Sequence, residues 1–258
     1  MKSRTPVLVA RFVGRELRNR FAGSFSGGLW ALFQPLIQLA VYAFVFVHVF
    51  KARLPGADAP GYVPFLVTAL WPWTAFSEAI LRSTTAIQEN AALIGKVVLP
   101  RELLVLASAG SSFLVHLAGF VAIILVLAVS GYDIALSGLV PAILLYLPLF
   151  VLAFGISLLC AAVQVFVRDL VQALAQILTL LMFAAPVFYD RTMLPERVRG
   201  WLDVNPFTFY ADAFRSLLLH HGETGWIRLG VACIVALAVL WLGHRVFRRL
   251  DPHFEDFL

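Results

Sequence analysis

Residues 142–189 read AILLYLPLFVLAFGISLLCAAVQVFVRDLVQALAQILTLLMFAAPVFY, and their only charges are the adjacent pair Arg168-Asp169. A helix crosses the hydrocarbon core of a bilayer with about 20 apolar residues, so this stretch is too long for one span. Two neighbouring charges are costly inside lipid. The economical reading is a tight turn at Arg168-Asp169 between one span at 142–167 and another at 171–189. A single long tilted helix with a re-entrant piece is the competing reading.

Four more stretches have the length and apolarity of spans, at 29–50, 62–81, 103–129 and 226–247. The predicted fold is therefore an all-α polytopic membrane protein, a single transmembrane domain over 1–258 with six spans. Composition agrees: 61% of residues are hydrophobic, 14% charged, and mean hydropathy is +0.88. A soluble domain carries about 45–50% apolar and about 25% charged residues. The net charge of +5 would admit a nucleic-acid reading, but membrane topology accounts for its distribution better, and no nucleic-acid partner is expected. Cys160 and Cys233 both fall in apolar runs, so neither a disulfide framework nor a metal site is expected. Six basic residues precede the first long apolar run, which is too long for a signal-peptide core, so the N-terminus reads as retained.

Charge bias sets the orientation. With the N-terminus inside, the inner segments hold Lys2, Arg4, Arg11, Arg15, Arg18, Arg20, Arg82, Lys96, Arg101, Arg168, Arg245, Arg248 and Arg249. The outer segments hold Lys51, Arg53, Arg191, Arg197, Arg199, Arg215 and Arg228. Thirteen of the 20 basic residues are then inside, with both termini cytoplasmic.

The segments between the spans carry more information. Within 1–28, residues 5–21 place Val9, Phe12, Val13, Leu17 and Phe21 towards one side and Arg11, Arg15 and Arg18 on the other. That pattern predicts an amphipathic helix in the inner headgroup layer. The loop at 82–102 is polar and helix-competent. The outer segment 190–225 has a further helical stretch at 207–220 after the Asn205-Pro206 breaker, and its Phe, Leu and Tyr content predicts short re-entrant helices. Residues 248–258 form an inner tail.

Ionisable residues within spans are functional candidates. Glu78 stands four residues before Arg82, which reads as a structural ion pair along one helix face. His48 ends the first span, and His116 lies in a span with no acid, which gives a proton relay little support. Gln34, Gln38, Gln164, Gln172 and Gln176 read as interhelical hydrogen-bond partners or cavity-facing groups. No nucleophile–base pair emerges, so an intramembrane enzyme is disfavoured. An ion-coupled secondary transporter would show inverted repeats and buried acids, and neither is evident. Pro35, Pro64, Pro72, Pro148 and Pro186 favour kinked helices around a pathway. Most aromatics fit an interfacial belt, but Trp71-Pro72-Trp73 lies ten residues into a span, where flat rings suit a passing sugar chain. Trp30, Tyr42, Trp71, Trp73, Phe183 and Tyr189 are the candidate channel lining. No G-x-x-x-x-G-K-[ST] occurs, so any ATP-driven transport needs a separate ATPase chain.

Five segments in order carry a resemblance. Residues 90–102, NAALIGKVVLPRE, resemble the coupling-helix loop of ATP-binding-cassette exporters for cell-surface polysaccharides. Arg168-Asp169-Leu170, followed by a span ending Pro186-Val-Phe-Tyr189, resembles that family's turn between spans four and five. Asn205-Pro206 with Arg215 resembles its outer re-entrant region, residues 248–258 its tail, and the stretch from Arg20-Phe21 to Leu29-Trp30 and Pro35 its N-terminal region.

The resemblance implies the membrane subunit of an O-antigen or capsule-type exporter, a homodimer bound by two copies of a cytoplasmic ATPase in the bacterial inner membrane. Exporter subunits for teichoic-acid polymer, drug or small lipid are the nearest alternative. ATP and Mg would bind the partner, with no cofactor on this chain. Asn90, Leu93, Ile94, Lys96, Arg101 and Glu102 would engage the ATPase, Leu93 and Ile94 as an apolar anchor. Arg11, Arg15, Arg18 and Arg20 would receive the pyrophosphate of a lipid-linked glycan, because guanidinium pairs bidentately with phosphate oxygens.

Overall fold

The computed structural model describes residues 5–21, 29–49, 61–96, 99–219 and 225–257. Expectations placed on Lys2, Arg4, Phe50, Lys51, Arg53, Val97, His220 and Leu258, and on the side chains of Phe21 and Leu29, lie outside the described residues.

Every regular element among the described residues is helical. In chain order they are α1 (Thr5–Phe21), α2 (Leu29–Phe44), α3 (Tyr62–Thr84), α4 (Ala86–Glu89), α5 (Ala91–Ile94), α6 (Glu102–Val129), α7 (Leu139–Gln164), α8 (Leu170–Ala184), α9 (Glu196–Leu202), α10 (Pro206–Leu218) and α11 (Trp226–Leu250). A π-helical turn at Val45–Val49 extends α2, and 3₁₀ turns at Leu136–Gly138, Arg191–Met193 and Asp251–Asp256 flank other helices.

Among the described residues three stretches are long and apolar enough to cross a membrane by length and composition: Glu102–Val129, Leu136–Gln164 and Trp226–Asp256. Phe33–Val49 and Leu170–Ala184 are shorter apolar helices. At 23 residues α3 is long enough to cross, and it stands at the centre of the bundle. It packs against α2, α6, α7, α8 and α10, and Phe65, Leu66, Val67, Ala69, Ala75 and Ala79 are buried to 1% exposure or less. A helix surrounded by protein can carry Thr68, Ser83 and Thr84 without turning their hydroxyls towards lipid. Thr68 and Thr84 donate to carbonyls a turn back, and Ser83 donates across to Val105 O on α6.

The tightest helix pair is α7 with α11. A Cβ on Gly155 would stand 2.6 Å from the backbone nitrogen of Leu240, and one on Gly243 would run into the Gly155 carbonyl. Two glycines at one crossing let the backbones meet, which is how helices associate where lipid supplies no hydrophobic drive.

The turn at Arg168-Asp169 is present. Helix α7 ends at Gln164, Arg168 and Asp169 are exposed, and α8 starts at Leu170. The helix at the predicted fifth span is shorter than expected, because α8 stops at Ala184 rather than running to Tyr189. Pro186 pushes its predecessor out of the helical region, and Ala185 is extended at φ −94°, ψ 153°. Fifteen residues rise about 22 Å, short of a bilayer's hydrocarbon core. The carbonyls freed after α8 are collected from elsewhere. Arg215 on α10, 4% exposed, donates to Phe65 O at 3.3 Å, Pro186 O at 2.5 Å and Val187 O at 2.8 Å. Its guanidinium lies 3.4 Å from the centroid of the Phe65 ring, and Tyr62 Oη donates to Phe188 O at 2.9 Å. Asn205 caps α10 by accepting from Phe207 N and donates to Leu181 O, so the segment before α10 grips α8 a second time.

At the other end of α3 a second core gathers Ile87, Ile94, Leu104, Val105, Leu158, Phe247 and Phe254. The chain's last turn, Asp251–Asp256, folds into it, with Phe254 fully buried against Phe247.

Candidate functional site

The residues singled out for coupling and for substrate entrance converge at this second end. The coupling stretch carries one helical turn, α5, within residues 90–96, and a second turn, α4, precedes it across Asn90. Asn90 Nδ2 donates back to Ala86 O at 2.9 Å, and its Oδ1 accepts from Arg15 Nη2 at 2.7 Å. Asn90 thereby ties α1 to the turn. An amide fits, because one side chain can donate and accept at once.

Helix α1, expected to lie in the inner headgroup layer, is packed against the chain's own bundle. Its apolar side packs on α6, where Val13 reaches 3.7 Å from the Cβ position of Gly110, and Phe12 joins the second core. Glu16 and Arg20, four residues apart on α1, meet Arg82 and Glu78, four residues apart on α3. Arg20 Nη2 lies 2.7 Å from Glu78 Oε1, and Arg82 Nη2 lies 3.0 Å from Glu16 Oε1. The structure thus corrects the expected Glu78–Arg82 pair. Each of those charges takes its partner from α1, and the two helices are joined by a reciprocal clasp. The clasp reaches further inward: Glu78 Oε2 lies 2.8 Å from His116 Nε2, Ser112 Oγ donates to Glu78 Oε1 at 3.2 Å, and Trp71 Nε1 donates to His116 O at 2.8 Å. His116, read as lacking an acidic partner in its own span, has one from α3. Burial draws the Arg20 pKa below its usual value, and the neighbouring Glu78 opposes that.

The other coupling candidates divide. Ile94 is 8% exposed inside the second core, and Leu93 packs partly buried at its edge, so Ile94 serves this chain's own packing. Glu89, Ala92, Gly95 and Lys96 form the exposed side of the two turns. Arg101 Nη1 donates to Asp251 O at 2.6 Å, and Arg101 also pairs with the Asp251 and Glu255 carboxylates, binding the tail. Glu102 lies 3.3 Å from His244 Nδ1 and 3.7 Å from Arg248 Nε, binding α6 to α11. Among the entrance arginines, Arg15 and Arg20 are engaged as described, whereas Arg11 and Arg18 are exposed.

The aromatic candidates also divide. Trp71 and Trp73 are 3% and 4% exposed, Trp73 packed edge-on against Phe207, so they cannot form an open wall. The reason is the central position of α3, whose every face meets another helix. Trp30 and Phe183 are 58% and 52% exposed on α2 and α8. Tyr42 packs edge-on against Phe188, Phe183 stacks on the same ring, and Tyr189 Oη donates to Phe183 O at 3.2 Å. Exposed Gln172, Gln176 and Thr179 precede Phe183 along one face of α8.

Glu16, His116 as a partner of Glu78, and the tail carboxylates were not singled out from the sequence. A shared four-residue spacing of opposite charges in α1 and α3 was the available signal for the first.

The profile of one family, described as ABC-2 type transporter, matches residues 8–219. The chain belongs to the ABC-2 type transporter family. The match to this ABC-2 transporter runs from α1 through α10 and stops short of α11. Relatives extend over nearly the whole chain. An O-antigen export system permease protein RfbA of Klebsiella pneumoniae is 25% identical over 97% of this chain and 95% of its own length. One from Myxococcus xanthus is 27% identical over 96% of this chain and 94% of its own. The polysialic acid transport protein KpsM of Escherichia coli is 23% identical over 91% and 90%.

Proposed function

We propose that this ABC-2 transporter is the membrane subunit of an exporter that moves a lipid-linked cell-surface polysaccharide, of O-antigen or capsule type, across the bacterial inner membrane. What carries the reading is the end-to-end similarity to permeases named for O-antigen export and polysialic acid transport. In this reading ATP and Mg bind a separate cytoplasmic ATPase, two copies of which serve a homodimer of this chain. Six spans, built on α2, α3, α6, α7, α8 and α11, leave both termini in the cytoplasm, an orientation supported by the basic residues gathered at the α1 and α4–α5 end.

The exposed side of α4 and α5, at Glu89, Ala92 and Lys96, is the contact for the ATPase, with Leu93, Ile94, Arg101 and Glu102 holding that surface in place and Asn90 linking it to α1. Arg11 and Arg18 are the cations open to an arriving pyrophosphate, backed by Arg15 and Arg20. The polymer passes the aromatic and amide face formed by Tyr42, Phe183 and Tyr189 with the α8 glutamines, and exposed Trp30 is a further lining candidate on α2. Because Arg15 joins α1 to Asn90, a displacement of the coupling turn by the ATPase would carry the entrance helix with it.

The test is export in cells lacking the native chain, together with ATPase activity of the purified complex. The doubly substituted Arg11→Ala, Arg18→Ala chain should still assemble with the ATPase and lose most surface polysaccharide. Full export by that variant would remove the pyrophosphate role. A chain that recovers no ATPase and restores no polymer would remove the exporter reading itself.

A further inference from the structure

At the α10 end of the molecule a cavity of about 570 Å³ opens between α10, the 190–205 segment and the start of α11. That volume is in the range of small-molecule sites, about 300–1,000 Å³. Among the described residues its charged lining is balanced: carboxylates at Asp190, Asp203 and Asp212, guanidiniums at Arg191, Arg215 and Arg228. A balanced site favours neither a plain anion nor a plain cation. It favours a ligand that carries both signs. Arg191 bridges Asp203 at 2.8 Å and Asp212 at 2.9 Å, and Arg215 is committed to the Phe65, Pro186 and Val187 carbonyls. Arg228 is exposed on the first turn of α11, and Asp203 keeps 59% of its side chain exposed.

Below Arg228 the wall changes character. Val231 and Val235 follow it at helical spacing on the same stripe, and with Ile227 they are 55%, 39% and 85% exposed respectively. One stripe of α11 therefore presents a cation at its first turn and branched aliphatics deeper along the helix. The two aromatics at the cavity, Phe209 and Tyr210, pack on each other with centroids 5.3 Å apart, and Tyr210 is 1% exposed. A sugar ring would find little open aromatic face there, whereas an acyl chain matches the aliphatic stripe.

We propose that this crevice binds a zwitterionic phospholipid, its phosphate on Arg228, its ammonium on Asp203 beside the Arg191–Asp212 pair, and one acyl chain along Val231 and Val235. The binding is independent of export, so a chain that moves no polysaccharide would still show it. The test uses the full chain with whatever subunits co-purify, placed in nanodiscs of equal phosphatidylethanolamine and phosphatidylglycerol, and native mass spectrometry of the lipid retained. Phosphatidylethanolamine should be retained about tenfold over phosphatidylglycerol, the size expected of one charge-assisted contact. Asp203→Asn should abolish that preference, whereas Arg228→Ala and Val231→Trp, both at exposed positions, should lower the retention of both lipids and Arg228→Lys should keep most of it. Equal retention of the two lipids, unchanged retention in Val231→Trp, or displacement of the lipid by a soluble oligosaccharide would each overturn the proposal.

Discussion

Glu78 and Arg20 illustrate how a single charge is decided by its surroundings. On α3 alone the near neighbour of Glu78 is Arg82, and an isolated helix would gain a few tenths of a kcal/mol from that pair. In the folded chain Glu78 instead meets Arg20, His116 and Ser112, in a partly buried setting where each contact is worth more than at an open surface. Arg82 is left for Glu16, so both acids and both bases are paired across the helix interface. We expect Arg20→Gln and Glu78→Gln each to lower the Tm in detergent. The double variant should lose less than the two together, with a coupling of about 1–3 kcal/mol. Strict additivity in such a cycle would show the pair to be incidental. Arg215 serves a similar end by other means. It gives its fork to the Pro186 and Val187 carbonyls from two nitrogens held in a fixed plane, where lysine would offer a single nitrogen.

Among the elements, the α7–α11 pair depends on two glycines that no apolar count singles out. Both helices are legible as spans because they are long and apolar. Their contact was not legible, because Gly155 and Gly243 lie on different helices and become one feature only when those helices cross. Gly155→Ala forces a methyl against the Leu240 backbone, which cannot give way as a side-chain tip can. We expect a loss of about 1–3 kcal/mol, the usual cost of overpacking, seen as a lower Tm and weaker resistance to proteolysis at the α11 end. Unchanged stability would mean the helices can separate without cost. Helix α8 teaches the complementary lesson. Its start at Arg168-Asp169 follows from the cost of charge in lipid. Its end follows from Pro186 together with Arg215, Tyr62 and Asn205, which accept the burden of an unwound segment.

Over the whole molecule, one route joins the α4–α5 turns to the N-terminal helix and on into the bundle. It runs from Asn90 to Arg15, along α1 to Glu16 and Arg20, and through Glu78 to His116 on α6. Asn90→Ala removes the link to Arg15 at a partly buried position while leaving the exposed side of the turns intact. In cells it should keep association with the ATPase and its basal ATP turnover yet reduce surface polymer several-fold. Normal polymer in that variant would mean that α1 moves, or stays still, without regard to the turn.

Composition and apolar run length by themselves determined the helical membrane class and the turn at Arg168-Asp169. The cost of charge and of unpaired backbone in lipid favours helices broken at the charged pair over one long tilted helix. The ordered motifs likewise made the family legible before any contact was known. Which aromatics are open, which arginines are engaged and what Glu78 faces were decided only by the tertiary structure. Those properties belong to pairs of helices distant in sequence. Trp71 and Trp73 are closed off because α3 is central, and a helix's position in a bundle is set by all of its neighbours at once.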